Sequence, residues 1–283
     1  MSNNNITLNR LNTSEPDFEG RLAKLLQRDM IVSGEVTTIA SDILRQVRTR
    51  GDAAVLEYTN QFDFAAESMD DLSVSPELMQ EALGSISKEQ RDALTHAAER
   101  IRTYHEKQKQ NSWTYKEADG SVYGQKISPL KRVGVYVPGG KANYPSSMLM
   151  LAIPAQVAGV KEITATVPTI YGEEGRLVFA AAALAGVTQL YTIGGAQAIA
   201  ALAYGTQTIE KVDKIAGPGN IFVTVAKKLV FGEVGIDMIA GPSELTIICD
   251  GKTNPDWIAM DLFSQAEHDE QAQSILIASD ASF

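Results

Sequence analysis

The sequence has 283 residues, is 44% hydrophobic and carries a formal net charge of -10. That length allows one large domain or two ordinary ones, and the apolar fraction is ample for a buried core. The acidic balance argues against a nucleic-acid or anionic-membrane partner, although a local basic pocket for phosphates stays compatible with it.

No apolar run reaches membrane-spanning length, and Met1-Ser2-Asn3-Asn4-Asn5 lacks the charged and apolar regions of a signal peptide, so a cytoplasmic location is expected. Cys249 is the single cysteine, which rules out a disulfide within the chain. It lies in the run Leu245-Thr246-Ile247-Ile248-Cys249 and reads as a buried strand position rather than a reactive thiol.

Residues 1 to about 110 read as helices. Val36, Ile39, Ile43 and Val47 keep helical spacing, Gly51 stops that helix, and Asp52 is expected to cap the next, which carries Leu56 and Phe62. Ser75-Pro76-Glu77 is a further start signal, and Ser87-Lys88-Glu89-Gln90 fits a capping box. Leu94, Ala97, Ile101 and Tyr104 form an apolar stripe behind it, read as core packing. His96 and His105 share that helix without metal-ligand company. Residues 113–127 look like a hairpin: Trp113 and Tyr115 alternate with polar residues, and Asp119-Gly120 supplies the turn.

From residue 132 the pattern changes. Buried-strand runs are expected at Val133 to Val137, Ile163 to Val167, Leu190 to Ile193, Val212 to Ile215, Leu245 to Cys249 and Ser274 to Ala278, separated by alanine-rich or amphipathic helices. This alternation argues for parallel βαβ units. Ala158-Gly159-Val160 and Ala185-Gly186-Val187 each close a helix before a strand, as duplication of a βα unit or the shared topology alone would require. No helix signal follows the last strand run, so the sequence is expected to stop inside a domain.

Ligands of open α/β sheets sit beyond the carboxyl ends of the strands. Three loops there have suitable chemistry. Tyr136-Val137-Pro138-Gly139-Gly140 offers close backbone approach and a phenol. Gly194-Gly195-Ala196-Gln197 precedes a helix N-terminus and is ready for an anion. Gly217-Pro218-Gly219-Asn220 ends on an amide able to bond a ligand edge. Neither a G-x-G-x-x-G fingerprint nor a P-loop is present. Each loop alone reads as a tight turn; together they also fit a nucleotide site. Ala240-Gly241-Pro242-Ser243-Glu244 is not a nucleophile elbow, and Ser243 reads as a hydrogen-bonding residue. Asn254-Pro255-Asp256 starts a last helix, on which Asp261, Gln265 and His268 share a face. That face reads either as solvated or as part of a metal site.

Taken together, Gly51-Asp52-Ala53-Ala54, Tyr136-Val137-Pro138-Gly139-Gly140, the run Gly194 to Ala203, Gly217-Pro218-Gly219-Asn220, Ala240 to Glu244 and Ser264-Gln265-Ala266-Glu267-His268 resemble, in order, the motifs of histidinol dehydrogenase. The resemblance covers the chain from about residue 20. It implies oxidation of L-histidinol to L-histidine via histidinal, at the end of histidine biosynthesis, with two NAD, zinc and a homodimer. It implies NAD at Tyr136, Gln197 and Asn220, substrate at Ser243, and zinc and substrate at Gln265 and His268.

By the same resemblance, no catalytic residue lies in this chain. The general base, an aspartate ligand and a partner-subunit histidine ligand are expected beyond residue 283. The implied fold is two interleaved Rossmann-like parallel-sheet α/β units: a helical N-terminal region and first part of unit one at 1–135, the NAD-binding loops of unit two at 136–242, and a return to unit one, truncated within it, at 243–283. A related zinc- and NAD-dependent dehydrogenase of another polar alcohol, or a non-catalytic remnant, fits the same residues.

Overall fold

The computed structural model describes residues 9–26, 34–139, 144–168, 173–239, 241, 244–267 and 272–280. Helices lead the chain: α1 (Phe18–Leu26), α2 (Gly34–Arg50), α3 (Asp52–Phe62) and α4 (Met69–Leu72), then the short β1 (Ser73–Val74), α5 (Pro76–Ser85) and α6 (Lys88–Glu106). The expected start signals operate. Ser75 accepts the Leu78 N–H at 3.2 Å, and the Ser87–Gln90 capping box closes in both directions. Asp52 differs from expectation. Gly51 holds the N-cap position of α3, and the Asp52 carboxylate instead accepts the Thr208 hydroxyl at 2.6 Å, tying α3 to a loop more than 150 residues away.

The hairpin is β2 (Trp113–Lys116) and β3 (Val122–Gln125), with Trp113, Tyr115 and Tyr123 stacked along one exposed side. The α/β region follows as β4 (Arg132–Tyr136), α7 (Pro145–Val157), β5 (Glu162–Thr166), α8 (Glu173–Leu184), β6 (Gln189–Tyr191), α9 (Gly195–Tyr204), β7 (Lys214–Ala216), α10 (Ile221–Val230) and β8 (Gly235–Ile236). The chain continues as β9 (Glu244–Cys249), α11 (Pro255–Ala266) and β10 (Gln273–Ala278).

One sheet has the order β1-β6-β5-β4-β7-β8, parallel except for β1, which pairs antiparallel with β6. Side-chain alternation splits its core into two faces. Val133, Val135 and Val137 join a cluster with α5, α7 and α8, whereas Tyr136, Ile193 and Ile215 join one with α2, α3, α9 and α10. Gly134 faces the second cluster, and a Cβ there would lie 3.0 Å from a Leu202 methyl, so the missing side chain lets α9 seat closely.

The helices before residue 132, grouped by the resemblance with 243–283, lie on both sides of this sheet. α2 packs on α9 and α10, α5 on α8 and α6 on α7. The physical reason is their apolar stripes: Ile43, Leu44 and Val47 enter one cluster, Met79 and Ala82 the other. α7 and α8 end alike, with the Val160 N–H reaching Ala155 O and the Val187 N–H reaching Ala182 O, both at 3.0 Å.

β9 pairs in parallel with β10, and α11 packs against both. Cys249 is buried, as expected, but the buried-strand reading does not extend to its neighbours: Ile248 is 81% exposed, because among the described residues nothing covers that side of the pair.

Candidate functional site

From β4 the chain moves outward through β5 to β6, then crosses back and places β7 on the other side of β4. This reversal of strand order between β4 and β7 is a topological switch point, and in open α/β sheets the crevice at the carboxyl ends of such neighbouring strands is where ligands are held. Gly217 sits at that junction with φ 136°, where a Cβ would stand 2.0 Å from the Tyr136 carbonyl oxygen. Only glycine lets the two backbones meet this closely.

Tyr136 ends β4 and is 3% exposed. Its phenol oxygen accepts the Gly195 N–H at 3.2 Å, linking β4 to the start of α9. Burial pushes the phenol up to about 12; the Gly195 N–H pulls it down and the Asp63 charge pushes it up. At neutral pH the hydroxyl keeps its proton and stays a donor. Gln197, in the first turn of α9, is 1% exposed and donates from Nε2 to Asp63 Oδ2 at 3.3 Å. Gly195 has φ 62°, and a Cβ there would strike the Gln197 amide oxygen at 2.5 Å.

The anion-ready N-terminus of α9 is already partly used. Asp63, just past the end of α3, accepts the Gly194 N–H; burial nonetheless raises its carboxyl above the ordinary value, against the lowering by that N–H. Tyr136 and Gln197 thus both reach the start of α9, at the carboxyl ends of the strands. Tyr136 holds the Gly195 backbone and Gln197 holds the Asp63 carboxylate, which leaves the Tyr136 hydroxyl proton and part of the Gln197 amide unused by these bonds.

Asn220 is exposed and caps α10: its Oδ1 accepts the Val223 N–H at 3.1 Å, so its Nδ2 donors remain for a ligand edge. Behind this loop is a pair that the sequence reading missed. Lys227, with its side chain 3% exposed, pairs with Asp237, which follows β8. Lys227 Nζ donates to Gly217 O, and the Gly217 N–H donates to Asp237 Oδ2, both at 2.8 Å. Burial pushes the Asp237 carboxyl up, but the Lys227 bond and the Gly217 and Met238 N–H groups outweigh it and hold it below the ordinary range. The available signal was a lysine four residues after Val223 and three before Val230, both buried, which puts a charge on an apolar stripe. Asp63 had no comparable signal.

Gln265, on the last turn of α11, is half-buried, and Asp261 is exposed. His268 and Ser243, the other expected zinc and substrate residues, lie outside the described residues, as does Gly140. Among the described residues no three His, Cys, Asp or Glu side chains gather into a metal-binding group. One neutral amide does not make the nitrogen, sulfur and carboxylate set that zinc prefers, so the described donors do not fit a zinc centre.

A second concavity lies at the opposite end of the sheet, lined by Arg48, Arg132, Tyr204, Gln207, Glu210 and Lys211 among others. Its cations are already engaged: Arg132 with Glu162 and Glu210, Lys211 with Glu233, and Arg48 over the Tyr204 ring. It faces the amino ends of the strands, away from the glycine loops.

A family model described as histidinol dehydrogenase matches residues 26–283. The histidinol dehydrogenase of Pseudomonas aeruginosa is 60% identical over 277 residues, covering 98% of this chain and 63% of its own length. That of Dechloromonas aromatica is 57% identical over 279 residues, covering 98% of this chain and 64% of its own. The crystal structure of histidinol dehydrogenase from Elizabethkingia anophelis superimposes with a TM-score of 0.83 at 37% identity, over 93% of this chain and 61% of that one. The chain therefore spans about 63% of the length of the curated relatives it matches.

Proposed function

Because this chain belongs to the histidinol dehydrogenase family, we propose that it provides the dinucleotide-binding part of an enzyme oxidising L-histidinol to L-histidine through histidinal. The observation that carries the NAD assignment is the convergence of Tyr136, Gly194–Gln197 and Gly217–Asn220 on one switch-point crevice, with two backbones in contact at Gly217. When bound, NAD supplies the hydride acceptor for alcohol oxidation.

The protein's own groups position it. The Tyr136 hydroxyl, kept protonated by burial, donates toward a ribose or amide oxygen. Asn220, at the N-cap of α10, offers its Nδ2 donors to a ligand edge, and the Gln197 amide, steadied by Asp63, fixes the start of α9. Ile193, Ala196 and Ile215, beside these groups in the chain and sheet, are buried in the core and would keep water from that side of the cofactor.

Zinc, histidinol, a homodimeric state and a cytoplasmic location belong to this reading as proposals for the whole protein. No step is assigned to zinc, since the described donors do not form its site. With the base and remaining ligands expected beyond residue 283, residues 1–283 bind NADH but do not reduce NAD with histidinol when zinc is added. Adding the relatives' C-terminal third as a separate fragment restores turnover. Robust turnover by residues 1–283 alone overturns this division of labour, and turnover of another polar alcohol in preference to histidinol overturns the substrate.

A further inference from the structure

The Lys227–Asp237 pair lies apart from the expected ligand contacts, yet it holds both backbone polar groups of the residue at the centre of the crevice. Lys227 Nζ takes the Gly217 carbonyl and Asp237 Oδ2 takes the Gly217 N–H, each at 2.8 Å, while the two side chains pair with one another. Gly217 is buried, has φ 136° and has no room for a side chain against the Tyr136 carbonyl. Neither of its polar groups has a sheet partner, because β7 ends at Ala216. A residue with both groups withdrawn from water needs a donor and an acceptor at fixed positions.

An ammonium buried at the base of α10 is costly without a counter-charge, and a purely apolar residue at position 227 would pack the stripe of Val223, Ala226 and Val230 without that cost. The pair therefore has a directional task that apolar packing does not perform.

We propose that Lys227 and Asp237 are positioning residues that set the 217–220 loop, and with it Asn220, in the geometry that accepts the dinucleotide. This inference rests on the NAD reading above. Asp237 follows β8, Gly217 follows β7 and Tyr136 ends β4, so the clamp registers three neighbouring strand ends against each other. Asn220 begins α10 three residues after Gly217, and Lys227 reaches back from the same helix, so displacement of Gly217 shifts the cap and the amide that face the ligand.

The test compares the parent full chain with Lys227→Met, Asp237→Asn, the double variant, and Phe179→Leu as a stability control in the opposite core cluster. NADH affinity is read by fluorescence titration, thermal stability by melting, and loop mobility by hydrogen–deuterium exchange over residues 214–222. Both single variants are expected to weaken NADH at least tenfold and to speed exchange over 217–220. The double variant is expected to be no weaker than the worse single, since the two act as one unit. Phe179→Leu is expected to lower the melting temperature with neither effect.

If the pair variants behave like Phe179→Leu, losing stability with unchanged exchange and affinity, the pair only supports the core and the proposal is overturned. If Lys227→Met does not fold, Asp237→Asn, which alters the more accessible member, decides on the same readouts. If the parent itself takes no NADH, the dinucleotide reading falls together with the ligand named here, and exchange over 217–220 still decides whether the pair holds the loop.

Discussion

The six-stranded sheet and the β9–α11–β10 unit are written in the same sequence pattern and reach opposite outcomes. Both have apolar strand runs, parallel pairing and a connecting helix. In the first, Leu190, Ile193, Ile199, Leu202 and Ile215 are 0–1% exposed. In the second, Ile248, Trp257, Met260 and Phe263 are 62–81% exposed. The difference lies in covering layers. Two helical tiers flank the sheet, α9 and α10 under α2 on one side, α7 and α8 under α5 and α6 on the other, whereas β9 and β10 carry α11 among the described contacts. A strand pattern specifies pairing and a preferred face; burial, the larger energetic contribution, comes from whatever packs on that face.

Substitution at matched apolar positions should expose this contrast most strongly. Leu202→Ala opens a cavity over Gly134 in a fully buried site and is expected to cost about 2–5 kcal/mol in urea unfolding. Ile248→Ala is expected to change stability by less than about 0.5 kcal/mol, since its side chain is already in water. Comparable losses at the two positions would mean that the β9 face is covered in solution, and the contrast would fail.

How far the sequence carried follows the same division. Signals acting over a few residues were legible because their partners are adjacent: the Ser87–Gln90 box, the Asp119-Gly120 turn and the paired helix ends at Gly159 and Gly186. The switch-point loops were legible because glycine is demanded where backbones touch. Tertiary choices were hidden. Asp52 bonds Thr208 instead of capping, and the aspartate at the start of α9 is Asp63 from a distant helix. Val74 joins the sheet edge as β1, a two-residue strand with no periodicity to detect. Exposure at Ile248 could not be read from an apolar run that looks the same as Ile163 to Val167.

Burial in the covered region also has a smaller, electrostatic consequence. Tyr136 lies within the covered region and ionises only near pH 12. Between the ordinary phenol value near 10 and that point, the unfolded chain loses a proton that the folded chain keeps, so stability falls as pH rises through the window. At about 1.4 kcal/mol per unit the loss reaches roughly 2–3 kcal/mol by pH 12. Tyr136→Phe, although less stable at neutral pH for want of the Gly195 partner, should lack this part of the alkaline slope. Identical slopes for parent and variant would show that the phenol is not withdrawn from water.

Under the proposed function, the covered region holds the dinucleotide at its switch point and the β9–α11–β10 unit lies outside that contact. Hydrogen–deuterium exchange of the full chain, with and without saturating NADH, reads this contact residue by residue. Protection is expected over residues 136–139, 194–197 and 217–220, with residues 244–249 and 273–278 unchanged. Protection confined to residues 204–211, at the amino end of the sheet, or to the β9–β10 pair, with the three loops unaffected, would contradict it.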